Sequence, residues 1–118
     1  MSLEQETISS FPPTKVFSRR KTVTLSTTAI QILKPNPDRV AVIFSNNELI
    51  NCRVDETIPP TATQGIPLDA AGGVANFTTI QDGDLPLMEW FGIADSGTPV
   101  IRIKELIRRP KEIIRNAN

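Results

Sequence analysis

The amino-acid sequence predicts an all-β fold: a small antiparallel β-sandwich, jelly-roll-like or barrel-like, with extended N- and C-terminal arms. Short runs of alternating polar and apolar residues recur along the 118 residues, and turn-forming residues, including ten prolines and six glycines, separate them. The body contains no amphipathic pattern of helical period. Short strands divided in this way by turns are typical of a sandwich or a small barrel.

The first strands precede a proline-rich turn. Residues 21–26 alternate with period two, and after two threonines the pattern resumes over residues 29–33. Residues 35–38, with the sequence Pro-Asn-Pro-Asp, fix φ twice and supply two side chains that close local turns. We therefore expect two short strands followed by a tight turn.

An uninterrupted apolar run over residues 40–44 predicts the central strand. Such a run cannot present a polar face to water, so we expect Val42 and Phe44 in the core and Ile43 against a second covered layer. The asparagine-rich segment that follows is predicted to be a turn, because asparagine tolerates left-handed backbone angles. Residues 49–54 are then predicted to be the return strand of a hairpin.

Turn-forming residues also separate short predicted strands in the second half of the body. Residues 55–73 form a long connection in which prolines exclude a central strand or a helix. Further strands are predicted over residues 74–80, 88–94 and 100–104. The turn Asp82-Gly83-Asp84 closes the first of these strands.

Charge separates the body from the arms, although the net charge of the chain is zero. Residues 22–101 carry three basic and nine acidic side chains, a net charge of −6, whereas residues 1–21 carry +2 and residues 102–118 carry +4. An acidic body with two basic arms predicts attachment to another molecule. We divide the chain into an N-terminal arm (1–20), a body (21–105) and a C-terminal arm (106–118).

Several segments of the body share their pattern with a known group of proteins. They are the strands of residues 23–33, the turn at residues 36–39 that leads into residues 40–44, the turn Asn46-Asn47, the glycine- and proline-containing segment 65–73, and residues 93–102. In these features residues 21–104 resemble the small β-sandwich accessory proteins of tailed bacteriophage virions. The resemblance implies a structural protein of the particle, bound to the head shell or to the collar and tail. The long arms depart from the bare sandwich of that group.

The arms carry most of the candidate partner-binding residues. The N-terminal arm combines two phenylalanines, a stiff diproline and a basic cluster, which suits an extended segment that lies along a neighbouring subunit. In the C-terminal arm, Leu106 and Ile107 lie beyond the last predicted strand, so we expect them on a partner surface. Pro110 at a first-turn position favours a short helix there. The candidate partner-binding residues in the arms and at the start of the body are Phe11, Pro12, Pro13, Phe17, Arg19, Arg20, Lys21, Arg108, Arg109, Lys111 and Arg115.

Trp90 is the one candidate partner-binding residue away from the ends of the chain. Trp90 and Phe91 are adjacent in a predicted strand, and adjacent side chains of a strand point to opposite faces. We therefore expect one ring in the core and the other at an interface.

Catalysis is not expected from the residue types present. The chain has no histidine and no tyrosine, which removes the usual general base near neutral pH and every Ser–His or Cys–His arrangement. Asp82 and Asp84 fit a solvated turn better than a calcium loop, which needs more oxygen ligands. Cys52 is the only cysteine and is expected to be a buried thiol. We predict no enzyme activity, no cofactor, no metal and no membrane span.

These observations lead to the hypothesis of a non-enzymatic, homo-oligomeric virion protein that bridges subunits through its arms. It would act as a decoration or cement protein or as a head-to-tail accessory, made in the host cytoplasm and located in the virion, with the major capsid protein or other virion subunits as partners. One alternative is a nucleic-acid-binding small β-barrel with basic arms, against which the acidic body and the few aromatic residues argue. The other is a glycan- or host-surface-binding module that uses Trp90.

Overall fold

The computed structural model describes residues 14–110, with only the backbone for residues 14, 109 and 110, and contains two four-stranded antiparallel sheets. A four-residue helix, α1 (Thr79–Asp82), and a 3-10 turn (Leu85–Leu87) connect the sixth strand to the seventh. The predicted all-β sandwich is confirmed. The strands are β1 (Thr14–Thr24), β2 (Ile30–Leu33), β3 (Arg39–Asn46), β4 (Cys52–Glu56), β5 (Ile66–Leu68), β6 (Gly73–Thr78), β7 (Trp90–Ala94) and β8 (Val100–Pro110).

The strand order is that of a jelly roll. The first sheet has the order β1-β8-β3-β6 and the second the order β2-β7-β4-β5. The first strand pairs with the last, the second with the seventh, and so on inward to the β4–β5 pair. This nested antiparallel pairing, in which the chain changes sheet after every strand except β4, defines the jelly-roll topology. It brings both ends of the described chain to one side of the first sheet.

The predicted hairpin between residues 40–44 and 49–54 is wrong, because β3 and β4 lie in different sheets. Asn46 ends β3 and is fully buried; its side-chain amide donates to the carbonyl oxygens of Ile50 at 2.7 Å and Leu68 at 2.9 Å. These bonds hold the chain as it crosses from one sheet to the other. An asparagine-rich turn fits a hairpin and a crossover between sheets equally well, so the local sequence pattern cannot distinguish the two connections.

The strand predicted over residues 74–80 ends early, at Thr78. The Thr78 hydroxyl accepts a hydrogen bond from the backbone N–H of Gln81 at 3.2 Å, and the Asp82 carboxylate accepts one from the backbone N–H of Thr78 at 2.9 Å. This reciprocal capping starts α1 at Thr79. Asp82 therefore has a structural hydrogen-bonding role in the turn.

The core lies between the sheets and is centred on Trp90, which is fully buried. Its ring centroid lies 4.9 Å from that of Phe44 and 5.0 Å from that of Phe77. Val42 and Phe44 are fully buried, as the sequence predicts. Ile43 is only half-buried, because the described part of the chain forms two layers and places no third layer over the outer face of β3.

Candidate docking surface

Parts of both predicted arms pair with each other instead of extending separately. β1 and β8 form an antiparallel ladder from Thr14↔Pro110 to Thr24↔Val100. β8 pairs with β3 only from Arg102 to Ile107, so the β1–β8 ribbon continues three residue pairs beyond that contact. The boundaries predicted after residues 20 and 105 thus fall inside these strands. The ribbon is continuous with the sandwich and is positioned by it.

The apolar residues at the start of the predicted C-terminal arm belong to this sheet. Ile107 is only 5% exposed, and it pairs with Phe17 on one side and Arg39 on the other. The expectation that Ile107 lies on a partner surface is wrong. The reason is that β8 does not end before Glu105, and its inward-facing positions continue through Glu105 to Ile107. Glu105 is charged and interrupts the apolar pattern expected of a buried strand, but its charge is paired in the structure.

The outer face of the first sheet carries positive charge without carboxylates. Side chains alternate between the two faces of a strand, and Ile101, Ile103 and Ile107 of β8 point into the core. The even-numbered residues from Val16 to Thr24 of β1 and from Val100 to Arg108 of β8 therefore point outward, together with Ile43 of β3 and Val74 of β6. The outward-facing basic residues of the four strands are Arg20, Arg102, Lys104 and Arg108, and no outward-facing residue of these strands is acidic.

Like charges lie directly opposite each other on this outer basic face. Arg20 pairs in register with Lys104, and the neighbouring pair joins Thr22 to Arg102. Like charges opposite each other destabilise a sheet unless a counter-charge is near. These residues line a shallow groove of about 690 Å³ whose floor contains Ile43. The face is thus complementary to an anionic surface with some apolar area.

Behind the ribbon, a buried carboxylate joins two arginines. Glu105 is fully buried, and its carboxylate accepts hydrogen bonds from Nε of Arg39 at 2.8 Å and from Nε of Arg19 at 3.0 Å. Arg39 is 2% exposed and also donates to the carbonyl oxygens of Pro86 and Met88 at 3.0 Å and of Lys34 at 2.7 Å. The guanidinium of Arg39 therefore links β3, β8 and the connection before β7. This cluster fixes the position of the ribbon on the sandwich.

The electrostatics of the cluster favour the charged form of the carboxylate. Burial alone would raise the pKa of Glu105, but hydrogen bonds from Arg19 and Arg39 and their positive charges outweigh it, so the pKa lies below its usual value. The hydrogen bond to Glu105 and its negative charge raise the pKa of Arg19. Burial lowers the pKa of Arg39, although the hydrogen bond to Glu105 and its negative charge act in the opposite direction. A guanidinium stays protonated in proteins, so all three groups are ionised near neutral pH.

The structure divides the predicted partner-binding residues into several groups. Arg20 and Arg108 lie on the outer basic face, and Phe17 is half-buried opposite Ile107. Arg19 and Lys21 are engaged within the chain: Arg19 with Glu105, and Lys21 through a hydrogen bond from Nζ to the carbonyl oxygen of Ile32 at 3.1 Å. The side chain of Arg109 and the residues Phe11, Pro12, Pro13, Lys111 and Arg115 lie outside the described residues, as does the predicted helix after Pro110.

Trp90 does not belong to the docking surface. It is fully buried, and its Nε1–H donates to the carbonyl oxygen of Leu85 at 3.2 Å. Of the Trp90–Phe91 pair, Trp90 is thus the core ring and Phe91 is the half-buried one. The partner-binding role predicted for Trp90 is wrong, because the side chain with the larger apolar area takes the inward position.

Sequence reasoning missed Arg102 and Lys104 as members of the outer basic face. The signal was present, because residues 100–104 alternate apolar and basic side chains. That alternation indicates a strand with one basic face. The net charge of residues 102–118, in which both residues were counted, does not show on which face of a strand they lie. Their pairing with the N-terminal strand becomes visible only in the register of β1 and β8.

Cys52 is expected to resist alkylation. It is 1% exposed, and burial, together with the negative charges of Asp95 and Glu48, raises the pKa of its thiol to about 11. Since the thiolate is the reactive form, the native protein at pH 8 should react with iodoacetamide at least 100-fold more slowly than the protein unfolded in urea. Mass spectrometry of the labelled fraction over time measures both rates. Equal rates would place Cys52 at the surface.

No protein-family model matches the sequence, and comparisons with curated proteins and with solved structures return no match. Within residues 14–110, no three cysteine or carboxylate side chains are grouped so that they could hold a metal ion. The same part of the chain has no helix that is long and apolar enough to span a membrane.

Proposed function

We propose that this protein is a non-enzymatic structural subunit that bridges neighbouring subunits of an assembly, in the way expected of an accessory protein of a tailed-phage virion. The outer basic face of β1 and β8 would bind an acidic surface of a major capsid protein or of another virion subunit. The observation that carries the proposal is the set of four outward-facing cations without any carboxylate on that sheet face. The resemblance of the body to phage accessory proteins supplies the class of assembly.

The placement of the face favours a bridging role. The cations sit on a ribbon held to the body by the Arg19–Glu105–Arg39 cluster, so the backbone that carries them is held in place before a partner binds. An ordered backbone loses less conformational entropy on association than a mobile tail. In a symmetric shell many copies would bind at once, and weak individual contacts would add to a strong attachment. The jelly roll itself occurs in capsid proteins but also in lectins and cupins, so the fold alone does not select the function.

Charge reversal on the outer basic face tests the proposal. A virus that lacks the coding sequence is grown with the protein supplied in trans, either as Arg102→Glu/Lys104→Glu or as the charge-conserving control Arg102→Lys/Lys104→Arg. We expect the reversed variant to lose at least tenfold of its copies per purified particle, counted by quantitative mass spectrometry, and the control to keep them. Full occupancy by the reversed variant would remove this face from the attachment site.

The same face also favours a second candidate, binding of single-stranded nucleic acid. Four cations along one sheet face could contact four phosphates, for which the affinity should fall with salt at a log–log slope of about −3. A titration of the unaltered protein with a 20-nucleotide oligomer, repeated at several salt concentrations, separates the two candidates. A steep slope with tight binding at physiological salt supports phosphate contact, whereas the structural proposal predicts little binding there.

A further inference from the structure

The sandwich is open along one side, between the edge strands of its two sheets. β1 is the edge of the first sheet and pairs only with β8, while β2 is the edge of the second. A cleft of about 570 Å³ separates them, lined by Arg19, Arg20 and Lys21 of β1 and by residues 31–36 opposite. The hydrogen bond from Lys21 Nζ to the carbonyl oxygen of Ile32 spans it. The backbone of β1 thus borders a cavity along this stretch.

The register shows which backbone groups of β1 point away from β8, along the open edge of the first sheet. The N–H of Arg108 donates to the carbonyl oxygen of Asp38 at 2.6 Å, on the side away from β1. Arg108 and its partner Val16 therefore form a non-hydrogen-bonded pair, and such pairs alternate along an antiparallel ladder. The N–H and C=O groups of Val16, Ser18, Arg20 and Thr22 consequently point outward from the edge. Four consecutive alternate residues make a complete template for a further strand.

We propose that this edge binds an extended acidic segment of a partner chain, which adds to β1 as a ninth strand and closes the open side of the sandwich. Main-chain hydrogen bonds to an exposed sheet edge are a general mode of peptide binding, and side chains of the added strand provide its specificity. The cleft lining contains five cations and a single carboxylate, Glu105, which is already bonded to Arg19 and Arg39. The other three cations are Arg20, Lys21 and Lys34. Acidic side chains at alternate positions of the added strand, on its cleft side, would complement Lys21 and Lys34, whereas Arg20 points to the other face of the sheet.

A second copy of this chain does not fit the edge. Antiparallel pairing of two β1 strands would bring Arg19, Arg20 and Lys21 of one copy against the same residues of the other. Basic residues on an edge strand discourage self-pairing in this way. The occupant is therefore an acidic partner. The edge adjoins the outer basic face and shares Arg20 with it. Strand addition, however, requires the outward backbone groups of β1, so its test is distinct from that of the proposed function.

A proline at an outward-facing position provides a direct test. The blocked peptide (Glu-Val)4 is the probe and (Lys-Val)4 is its reference; binding is measured by isothermal titration calorimetry at 50 mM salt. Arg20→Pro removes one outward N–H without breaking the β1–β8 ladder, and Arg20→Ala removes the same charge but keeps the N–H. We expect the unaltered protein to bind the acidic peptide saturably and not the basic one. The affinity should be at least tenfold weaker for Arg20→Pro than for Arg20→Ala. In the unaltered protein, bound peptide should slow amide exchange at residues 18, 20 and 22.

The other outcomes overturn the proposal. Equal affinity of Arg20→Pro and Arg20→Ala, or no saturable binding of (Glu-Val)4 by the unaltered protein, excludes strand addition at this edge. If Arg20→Pro unfolds, the pair Ser18→Pro and Ser18→Ala makes the same comparison one outward position away. A charge control separates the two surfaces: Lys34→Glu should weaken peptide binding severalfold, and Arg102→Glu, on the outer basic face, should weaken it less. A larger effect of Arg102→Glu would move the peptide to that face.

Discussion

Replacing Glu105 by glutamine is expected to lower the free energy of unfolding by about 3–5 kcal/mol, the cost of leaving a buried charge without its partner. Arg39 is only 2% exposed, and Glu105 is the carboxylate that neutralises it. Glutamine keeps the size of the side chain and one acceptor oxygen but removes the charge. The carbonyl oxygens of Pro86, Met88 and Lys34 continue to hold the guanidinium in place, so it cannot reach water. Urea denaturation followed by circular dichroism measures the difference.

Arg19→Met is the matched control for this cluster. Arg19 bonds to the same carboxylate, but its side chain is 55% exposed, so its loss should cost at most about 1 kcal/mol. A large cost for Arg19→Met with a small cost for Glu105→Gln would show that the exposed pair, and not the buried one, holds the ribbon.

Acid should reduce the difference between the unaltered protein and Glu105→Gln. The pKa of Glu105 lies below its usual value in the folded state, because hydrogen bonds and charge from the two arginines outweigh burial. A carboxyl with a lowered folded-state pKa contributes stability that is complete above its unfolded pKa, about 4.3, and is lost as the pH falls through the folded-state pKa. Unfolding free energies of both proteins, compared from pH 7 down to pH 3, should therefore converge at the acidic end. A constant difference would indicate that Glu105 has no lowered pKa.

The sequence was informative wherever a local pattern decides the structure. Alternation marked β2 and β8, and the apolar run over residues 40–44 marked the buried residues Val42 and Phe44. The sandwich class follows from such patterns because each strand must cover one apolar face. Which strands pair, however, depends on contacts between distant residues. The wrong prediction of a hairpin between β3 and β4 shows this, since β4 follows β3 in the chain but lies in the other sheet.

For the same reason, only part of the candidate docking surface could be predicted from the sequence. Segregated charge predicted that the ends of the chain attach to something, and Arg20 and Arg108 are on the outer basic face. The division into arms and body, however, treated Glu105 as the last residue of the body and Arg19 as part of a separate arm, although the two residues form an ion pair at 3.0 Å. Their separation of 86 positions in the chain leaves no local signal of that contact.

Trp90→Ala should destabilise the protein by about 3–5 kcal/mol, whereas Phe91→Ala in the next position should cost roughly 1 kcal/mol. Trp90 is fully buried and packs against the rings of Phe44 and Phe77, so alanine leaves a cavity there and also removes the donor to the carbonyl oxygen of Leu85. Phe91 is half-buried in the same strand.

The pair of variants shares its position in the fold, its strand and its chemical class, so burial is the main difference. Denaturation must be followed by far-ultraviolet circular dichroism, because Trp90 is the only tryptophan and its fluorescence is lost in the variant. In the unaltered protein the same fluorescence gives an independent check, since a buried indole should be poorly quenched by acrylamide. Strong quenching, together with a small cost for Trp90→Ala, would return this residue to the surface and revive a role for it in glycan or host-surface binding.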